Sequence, residues 1–262
     1  MLEVSGIRIH LTQLDGGDER ELALCKKALA KKLRVNASQL RGIERRRRSI
    51  DARKKADIVL TFTLRAELAG GPSQEAAVLS KLTRAHAEKG VRVVDEEPFG
   101  WPGAFDAAVA PDARPVVVGA GCAGLFCALS LARAGLSPLL VERGDDAARR
   151  SRVVEAHNAT GELDVESNIQ YGVGGAGTFS DGKLQTGTKS PAHRLILETF
   201  VEAGAQPQIL WDAKPHVGSD VLPRVVTNIV RMIEEAGGEV RCRCRMSDLD
   251  VTGGRVRSVT LA

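Results

Sequence analysis

The chain has 262 residues, of which 43% are hydrophobic and 27% charged, a balance typical of globular proteins and unlike that of disordered chains. It has no run of roughly 18–20 apolar residues, and residues 1–10 lack a basic segment followed by an apolar one, so we expect neither a membrane span nor a secretory signal. The net charge of +4 is uneven, at +5 over residues 1–110 and −1 over residues 111–262, which suggests two modules.

The first module, predicted over residues 1–97, has mixed strand and helix periodicity. Alternating apolar residues predict strands at 2–11, 40–48, 56–64 and 91–94, and helical spacing predicts helices at 19–33 and 73–89. The resulting order β-α-β-β-α-β is that of a ferredoxin-like α+β module.

A basic run inside this module holds eight Lys and Arg residues between Arg41 and Lys55, against only Glu44 and Asp51. Such a run can neutralise nucleic-acid phosphates. RNA-binding sheets also stack bases on aromatic side chains, and Phe62 is the only aromatic residue in the two central strands. We therefore expect a solvated hairpin between the second and third strands, with an anion-binding or intramolecular role and nucleic-acid binding at 41–55 as alternatives.

Proline and glycine concentrate between residues 98 and 114, which predicts a linker before a second domain at 115–262. That domain opens on an apolar strand, 115–118, followed by a GxGxxG at 119–124 and an apolar helix at 125–134. A further strand at 139–141 ends at Glu142. This is the complete β-α-β context that a dinucleotide-binding fingerprint requires.

Each part of the fingerprint has a physical role. Gly119 permits the tight turn, Gly121 lets the backbone approach a pyrophosphate, and Gly124 lets the helix pack closely on the strand. Free N–H groups at the helix N-terminus face the pyrophosphate. Glu142 can accept hydrogen bonds from both adenosine ribose hydroxyls, and its charge disfavours a 2′-phosphate.

A second cluster places five glycines between Gly172 and Gly182. Glycines at this density let the backbone fold closely around a ligand and offer N–H donors. Hydroxyl, carboxylate and ammonium groups lie among them, on Thr178, Ser180, Asp181 and Lys183. A flexible surface loop is the alternative interpretation.

Four segments together resemble a known family. They read VVVGAGCAGLFCALSLARAGLSPLLVERG, SNIQYGVGGAGTFSDGKL, KPHVGSD and GGEVR, and the earlier SIDARKK fits as well. The chain thus resembles the uncharacterised FAD-dependent dehydrogenases of bacteria and plastids, which are two-dinucleotide-binding-domain flavoproteins. The resemblance implies FAD at the first cluster and at Glu142, with Arg143 beside the adenosine and the second cluster lining the pyrophosphate or the flavin edge. The implied cofactor-binding residues are Gly119, Ala120, Gly121, Ala123, Gly124, Glu142, Arg143, Gly174, Gly175, Gly177 and Thr178.

The sequence departs from the family pattern at two positions. Cys122 stands where the family usually has proline, a change that a helix start tolerates. Val173 stands where the family often has glutamate, which removes a charge near the expected flavin.

Candidate catalytic groups are few, because spacing indicates neither a Ser-His-Asp nor a Cys-His arrangement. His216 could transfer a proton near pH 7, and Lys183 or Lys214 could stabilise a reduced, anionic flavin. Trp211 is a possible cover for a ring, and His193 is better explained as a residue at a helix start. The substrate is not specified by these residues, and NAD(P)H is one candidate electron donor.

Cysteine usage indicates the compartment and argues against a metal. Five cysteines occur without a CxxC pair, which predicts reduced thiols in the cytoplasm and no zinc site. Cys25, Cys122 and Cys127 lie in helical patterns, and Cys242 and Cys244 lie in a strand pattern.

The remaining sequence predicts helices at 195–203 and 223–236, then strands at 239–244 and 256–261 joined through Gly253 and Gly254. In related flavoproteins such a strand pair leads into a segment that returns to the nucleotide-binding sheet. Because the sequence stops at Ala262, we expect the N-terminal part of a longer enzyme.

The fold class predicted is α/β, a ferredoxin-like module followed by an incomplete Rossmann-like FAD/NAD(P)-binding domain with a parallel sheet. The function predicted is flavin-mediated hydride or electron transfer by an FAD-dependent oxidoreductase. A flavin-type hydroxylase, a nucleic-acid-binding protein and a noncatalytic flavoprotein remnant are the alternatives.

Overall fold

A computed structural model describes residues 1–15, 17–95, 99–105, 114–170, 172–180, 182–184, 186 and 188–262. The chain divides into two units. The first comprises Met1–Pro98 and Leu210–Pro215, and the second Phe99–Ile209 and His216–Ala262. Most of the predicted linker at 98–114 lies outside the described residues.

The first unit is a four-stranded antiparallel sheet with two helices. Its strands run in the order β2-β3-β1-β4, which is the ferredoxin-like arrangement predicted from the sequence. The elements are β1 (Leu2–His10), α1 (Gly17–Leu33), β2 (Leu40–Asp51), β3 (Val59–Leu68), α2 (Gly71–Arg84) and β4 (Val91–Val93).

The core of this unit lies between the sheet and the two helices. In β1 the buried positions are Leu2, Val4, Ile7 and Ile9, which do not alternate strictly. The register shifts between Val4 and Ile7, and Gly6 between them has a φ of +71°. This bulge keeps both halves of the strand facing the same core.

The basic run does not form a solvated hairpin, so that expectation was wrong for Arg45 and Arg48. Both lie within β2, and only 9% of the Arg45 side chain is exposed. Arg45 donates hydrogen bonds to Asp18 and Glu21, and Arg48 donates to Glu21 and to Asp212. The sequence could not show this, because the acidic partners lie 24 to 164 residues away.

Leu210–Pro215 extends the edge of this sheet beside β2. The Arg48 N–H donates to the Trp211 carbonyl at 2.6 Å, and the Ala213 N–H donates to the Arg48 carbonyl at 2.8 Å. The Arg45 guanidinium lies 4.0 Å from the centre of the Trp211 ring, a cation–π contact. Trp211 is thus part of the first unit, where an arginine covers its ring.

The second unit contains a parallel three-stranded sheet in the order β5-β6-β7, which confirms the predicted fold class. Helices fill the connections, and an antiparallel pair follows. The elements are β5 (Val116–Val118), α3 (Cys122–Arg133), β6 (Leu139–Val141), α4 (Ala147–Thr160), α5 (Gly175–Thr178), α6 (Ala192–Glu202), α7 (Leu222–Glu235), β7 (Glu239–Arg241), β8 (Met246–Thr252) and β9 (Arg255–Leu261).

The hydrophobic core of the second unit gathers around α3 and α7. One stripe of α7 is buried at helical spacing, which is why the segment folds as an amphipathic helix. The side chains of that stripe are Leu222, Val225, Val226, Ile229 and Ile233. They pack in the same cluster as Leu125, Ala128, Leu129 and Ala132 of α3.

The predicted pairing of strand 239–244 with strand 256–261 was wrong. Glu239–Arg241 forms β7, which pairs in parallel with β6. The hairpin partner of β9 is β8, and Gly253 and Gly254 at the turn have φ values of +61° and +74°. Two positive φ angles make a two-residue hairpin turn, which pairs the strands directly flanking it.

Among the described residues, no helix combines the length and the apolar character needed to cross a lipid bilayer.

Candidate dinucleotide-binding site

The turn from β5 to α3 leaves its backbone open. Gly119 has a φ of +92°, and its N–H donates to the Val141 carbonyl of β6 at 2.7 Å. Gly121 is extended and directly precedes the first residue of α3. A Cβ added at Gly119 or Gly121 would meet no atom within 4 Å, so a ligand can approach the backbone at both positions.

Gly124 has a different role from the two glycines before it. A Cβ there would collide with the Gly119 carbonyl oxygen and would lie 3.6 Å from Val117. The third glycine therefore lets α3 pack against the turn and β5.

A cavity of about 570 Å³ lies beside this turn, within the size range of ligand sites. The N-terminus of α3 faces it through Cys122 and Ala123, whereas Ala120 is fully buried. The other lining residues with a bearing on ligand binding are Gly119, Gly121, Gly124, Glu142, Arg143, Arg150, Glu166, Asn168 and Gly172.

Glu142 follows β6 and is buried at the wall of the cavity. Its Oε2 accepts a hydrogen bond from the Ala120 N–H at 2.8 Å. Its Oε1 accepts from the Gly144 N–H at 2.8 Å and from Arg150 Nη2 at 3.3 Å. Each carboxylate oxygen has two acceptor positions, so one position on Oε2 is left for a further donor.

Arg150, on α4, is a site residue that the sequence reasoning missed. Its side chain is only 2% exposed, and its Nη1 donates to the Asn168 carbonyl at 2.8 Å. No amphipathic stripe marks α4 in the sequence. The available signal was Asp146, which caps the helix by accepting from the Arg149 N–H.

Two glycines make room for the Arg150 guanidinium. A Cβ at Gly144 would collide with Nη2, and a Cβ at Gly172 would lie 2.7 Å from Nη2 and from Glu142 Oε1. Gly172 belongs to the second glycine cluster. The two clusters thus meet at the Glu142–Arg150 pair.

The α5 turn of the second cluster packs against α7 and does not line the cavity. Residues Gly175–Thr178 form the single turn of α5, in which a Cβ at Gly177 would lie 3.4 Å from Leu222. Gly174 has a φ of +90°, and a Cβ there would collide with Thr178 Oγ1. The predicted ligand contacts Gly174, Gly175, Gly177 and Thr178 do not line the cavity, whereas Gly172, which was not predicted, does.

The two candidate catalytic side chains are neighbours. Lys183 and His216 face each other in a short antiparallel bridge, and the Val217 N–H donates to the Gly182 carbonyl at 2.9 Å. Both side chains are exposed, and neither lines the cavity. Asp181, the acidic residue of this segment, lies outside the described residues.

Ion pairs join residues of the cavity lining, and others join residues of the adjoining segments. Glu166 pairs with Arg143 at 3.1 Å and with Arg245 at 3.4 Å. Arg243 pairs with Asp145 at 2.6 Å and with Asp164 at 2.7 Å. Hydrogen bonds from Arg243 hold the pKa of both aspartates below the ordinary value.

Residues 114–171 match the family model described as FAD dependent oxidoreductase. This stretch contains the β5–α3 turn, Glu142 and Arg150, so the match supports a flavin oxidoreductase with FAD as the cofactor. A second family model, described as a domain of unknown function (DUF8436), matches residues 1–67.

An uncharacterized protein of Clostridium beijerinckii is similar to nearly the whole chain. The two are 36% identical over 256 residues, which is 97% of this chain and 46% of the relative. The chain therefore spans about half the length of the curated relative that it matches.

Two solved structures are similar to part of the chain. THI4 of Thermovibrio ammonificans is 19% identical with a TM-score of 0.35, and the match covers 57% of this chain and 47% of that one. The L-amino acid deaminase of Proteus myxofaciens is 13% identical with a TM-score of 0.29, covering 64% and 46% respectively.

All five cysteines fall within the described ranges and are free thiols. Cys122 and Cys244 line the cavity. Burial raises the pKa of the Cys25 thiol to about 12 and that of Cys242 to about 11. The prediction that Cys242 and Cys244 lie in a strand was wrong, because both follow the end of β7.

Over the part of the chain that the structure describes, no group of three or more His, Cys, Asp or Glu side chains is arranged to hold a metal ion.

Proposed function

We propose that the chain holds FAD at the β5–α3 turn and serves a flavin-dependent dehydrogenase. The observation that supports this most directly is the turn itself. Gly119 and Gly121 leave the backbone open at the N-terminus of a twelve-residue helix, and a buried glutamate stands at the end of the next strand, on the same cavity. When bound, the isoalloxazine of FAD supplies hydride or electron transfer.

The residues present fit the cofactor's adenosine and pyrophosphate. N–H groups at the start of α3 would bind the pyrophosphate, helped by the helix dipole. The remaining acceptor position on Glu142 Oε2 would take one ribose hydroxyl, fewer than the two that the sequence suggested. Arg143, half exposed at the rim, would lie beside the adenosine.

The second glycine cluster would act mainly through shape. We assign to Gly174, Gly175, Gly177 and Thr178 the role of folding the segment that presents Gly172 to the cavity. Lys183 and His216 are the proposed groups for holding or moving a proton near the flavin. NAD(P)H as electron donor and a small organic substrate complete the proposal for the whole, longer protein.

The basic run gives little support to a nucleic-acid role. Four of its arginines are paired with carboxylates, which reduces the charge available to phosphates: Arg45, Arg46, Arg48 and Arg53. Nucleic-acid binding at 41–55 remains a prediction that no observation favours. The cytoplasmic location likewise stays a prediction from the cysteine content.

The test is FAD binding by the purified chain, followed through the visible flavin absorption after removal of free cofactor. We expect Gly121→Val to lower the affinity at least tenfold, about 1.4 kcal/mol, because its side chain would fill the space of the pyrophosphate. Gly103→Val is the matched control, since a Cβ there also meets no atom within 4 Å and Gly103 does not line the cavity.

A wild-type chain that takes up no FAD would overturn the proposal. Equal affinity of Gly121→Val and wild type would show that FAD binds elsewhere.

A further inference from the structure

We propose that Arg150 is a positioning residue for ribose recognition: it orients the Glu142 carboxylate and ties it to the second glycine cluster. This inference rests on the proposed function, because it concerns the same cofactor site. It assigns a role to a residue that the fingerprint motif does not include.

Arg150 joins three segments of the second unit. From α4, its Nη1 donates to the Asn168 carbonyl at 2.8 Å, just before the second cluster. Its Nη2 donates to Glu142 Oε1 at 3.3 Å and contacts the Asp145 carbonyl at 3.4 Å. The guanidinium therefore fixes Glu142 and Asn168 relative to each other.

These bonds decide which carboxylate oxygen faces a ligand. Oε1 is filled by the Gly144 N–H and by Arg150, so the free acceptor position lies on Oε2. Without Arg150, Oε1 would keep its bond from the Gly144 N–H but gain a free acceptor position, so a ribose hydroxyl could bond to either oxygen. The hydrogen bond to a ribose hydroxyl would then lose its fixed direction.

The site has room for a guanidinium and for little else. A Cβ at Gly144 or Gly172 would reach Nη2, so both glycines leave space for the Arg150 side chain. A lysine has a single nitrogen and cannot repeat the two-nitrogen fork that bonds Asn168 and Glu142 together. Charge alone is therefore insufficient.

The experiment compares the affinity of the chain for ADP with its affinity for 2′-deoxy-ADP and 3′-deoxy-ADP by calorimetry. In the wild type we expect removal of one of the two ribose hydroxyls to lower the affinity about tenfold, as expected for the loss of a hydrogen bond to a charged group. In Arg150→Lys and Arg150→Met we expect that penalty to fall below about twofold. Arg149→Met is the matched control and should keep it, because Arg149 lies next in sequence with its side chain 67% exposed.

Gly144→Ala gives an independent variant, because the atoms nearest its Cβ would be the Arg150 guanidinium and the Glu166 carbonyl, so it would displace the guanidinium without removing it. This variant should lose the hydroxyl penalty, and it tests the inference if the Arg150 variants fail to fold.

Two results overturn the inference and differ from each other. If the variants bind all three nucleotides more weakly by one common factor, or as tightly as wild type, the hydroxyl penalty survives and Arg150 has no positioning role. If wild type binds neither ADP nor FAD, the proposed function itself fails.

Discussion

Two glycines of one motif differ in what surrounds them. At Gly121 an added Cβ meets open space, whereas at Gly124 it meets the Gly119 carbonyl oxygen. Substitution at Gly121 therefore reports on a ligand, and substitution at Gly124 reports on folding. The GxGxxG pattern predicts this difference between the two positions, because its second glycine faces the ligand and its third faces the strand.

Cys122 provides a direct probe of ligand binding at the residue scale. It is exposed at the first turn of α3 and lines the cavity, whereas Cys127 on the same helix is exposed and does not line it. We expect saturating FAD to slow alkylation of Cys122 at least about tenfold, because a bound pyrophosphate would cover its thiol. Mass spectrometry of iodoacetamide-treated protein measures both rates at once.

Cys127 serves as the internal control, and its rate should not change. Neighbouring protein atoms partly desolvate the Cys122 thiol and raise its pKa although the residue is accessible, so the measurement belongs at mildly alkaline pH. Equal protection of the two cysteines, or none at Cys122, would contradict the proposed position of the cofactor.

At the scale of elements, β2 carries a buried charge cluster. Arg45 and Glu21 are 9% and 8% exposed at their side chains and bond at 2.7 Å. We expect Arg45→Met to lower the free energy of unfolding by about 3 kcal/mol. This value is at the low end of the range for breaking a buried ion pair, because Arg48 still donates a hydrogen bond to Glu21. Urea unfolding of the full chain measures the change.

The control for that experiment is Arg53→Met, which removes an exposed partner of Asp51 and should leave the urea midpoint unchanged. If Arg45→Met lowers the free energy of unfolding no more than Arg53→Met does, the buried cluster contributes nothing to stability.

Local patterns predicted the elements better than their partners. The alternation within each half of β1 and the helical spacing of α7 are visible in the sequence, because each reflects one buried face. The position of Glu142 directly after β6 followed from a motif whose parts lie within 23 residues. Neither Arg150 nor Asp212 was predicted. Asp212 bonds to Arg48, which is 164 residues away, and Arg150 packs in space left by two glycines.

At the scale of the whole molecule, acid should weaken the second unit through Asp145 and Asp164. Their pKa values are below the ordinary 3.8, with the hydrogen bond from Arg243 as the largest cause. A lowered pKa in the folded state adds stability above the unfolded value and loses it as the pH falls through the folded value. The free energy of unfolding should therefore decline below about pH 4.

Arg243→Gln should lower the urea midpoint at pH 7 and flatten its decline below about pH 4, because both aspartates lose the cation that lowers their pKa. Arg231→Gln, an exposed change on α7, is the control and should keep the wild-type pH profile. An unchanged slope in Arg243→Gln would mean that other carboxylates dominate acid unfolding.

The edge of the first sheet has a consequence for synthesis. Arg48 and Asp212 are 164 residues apart, so at roughly 5–20 residues per second the ribosome needs about 8–30 s between them. During that interval the outer edge of β2 stays unpaired at Arg48, and once Val93 has been added the nascent chain contains all four strands of this sheet. Charged side chains discourage edge-to-edge pairing, so the arginines of β2 would protect the growing chain from association until Leu210–Pro215 emerges.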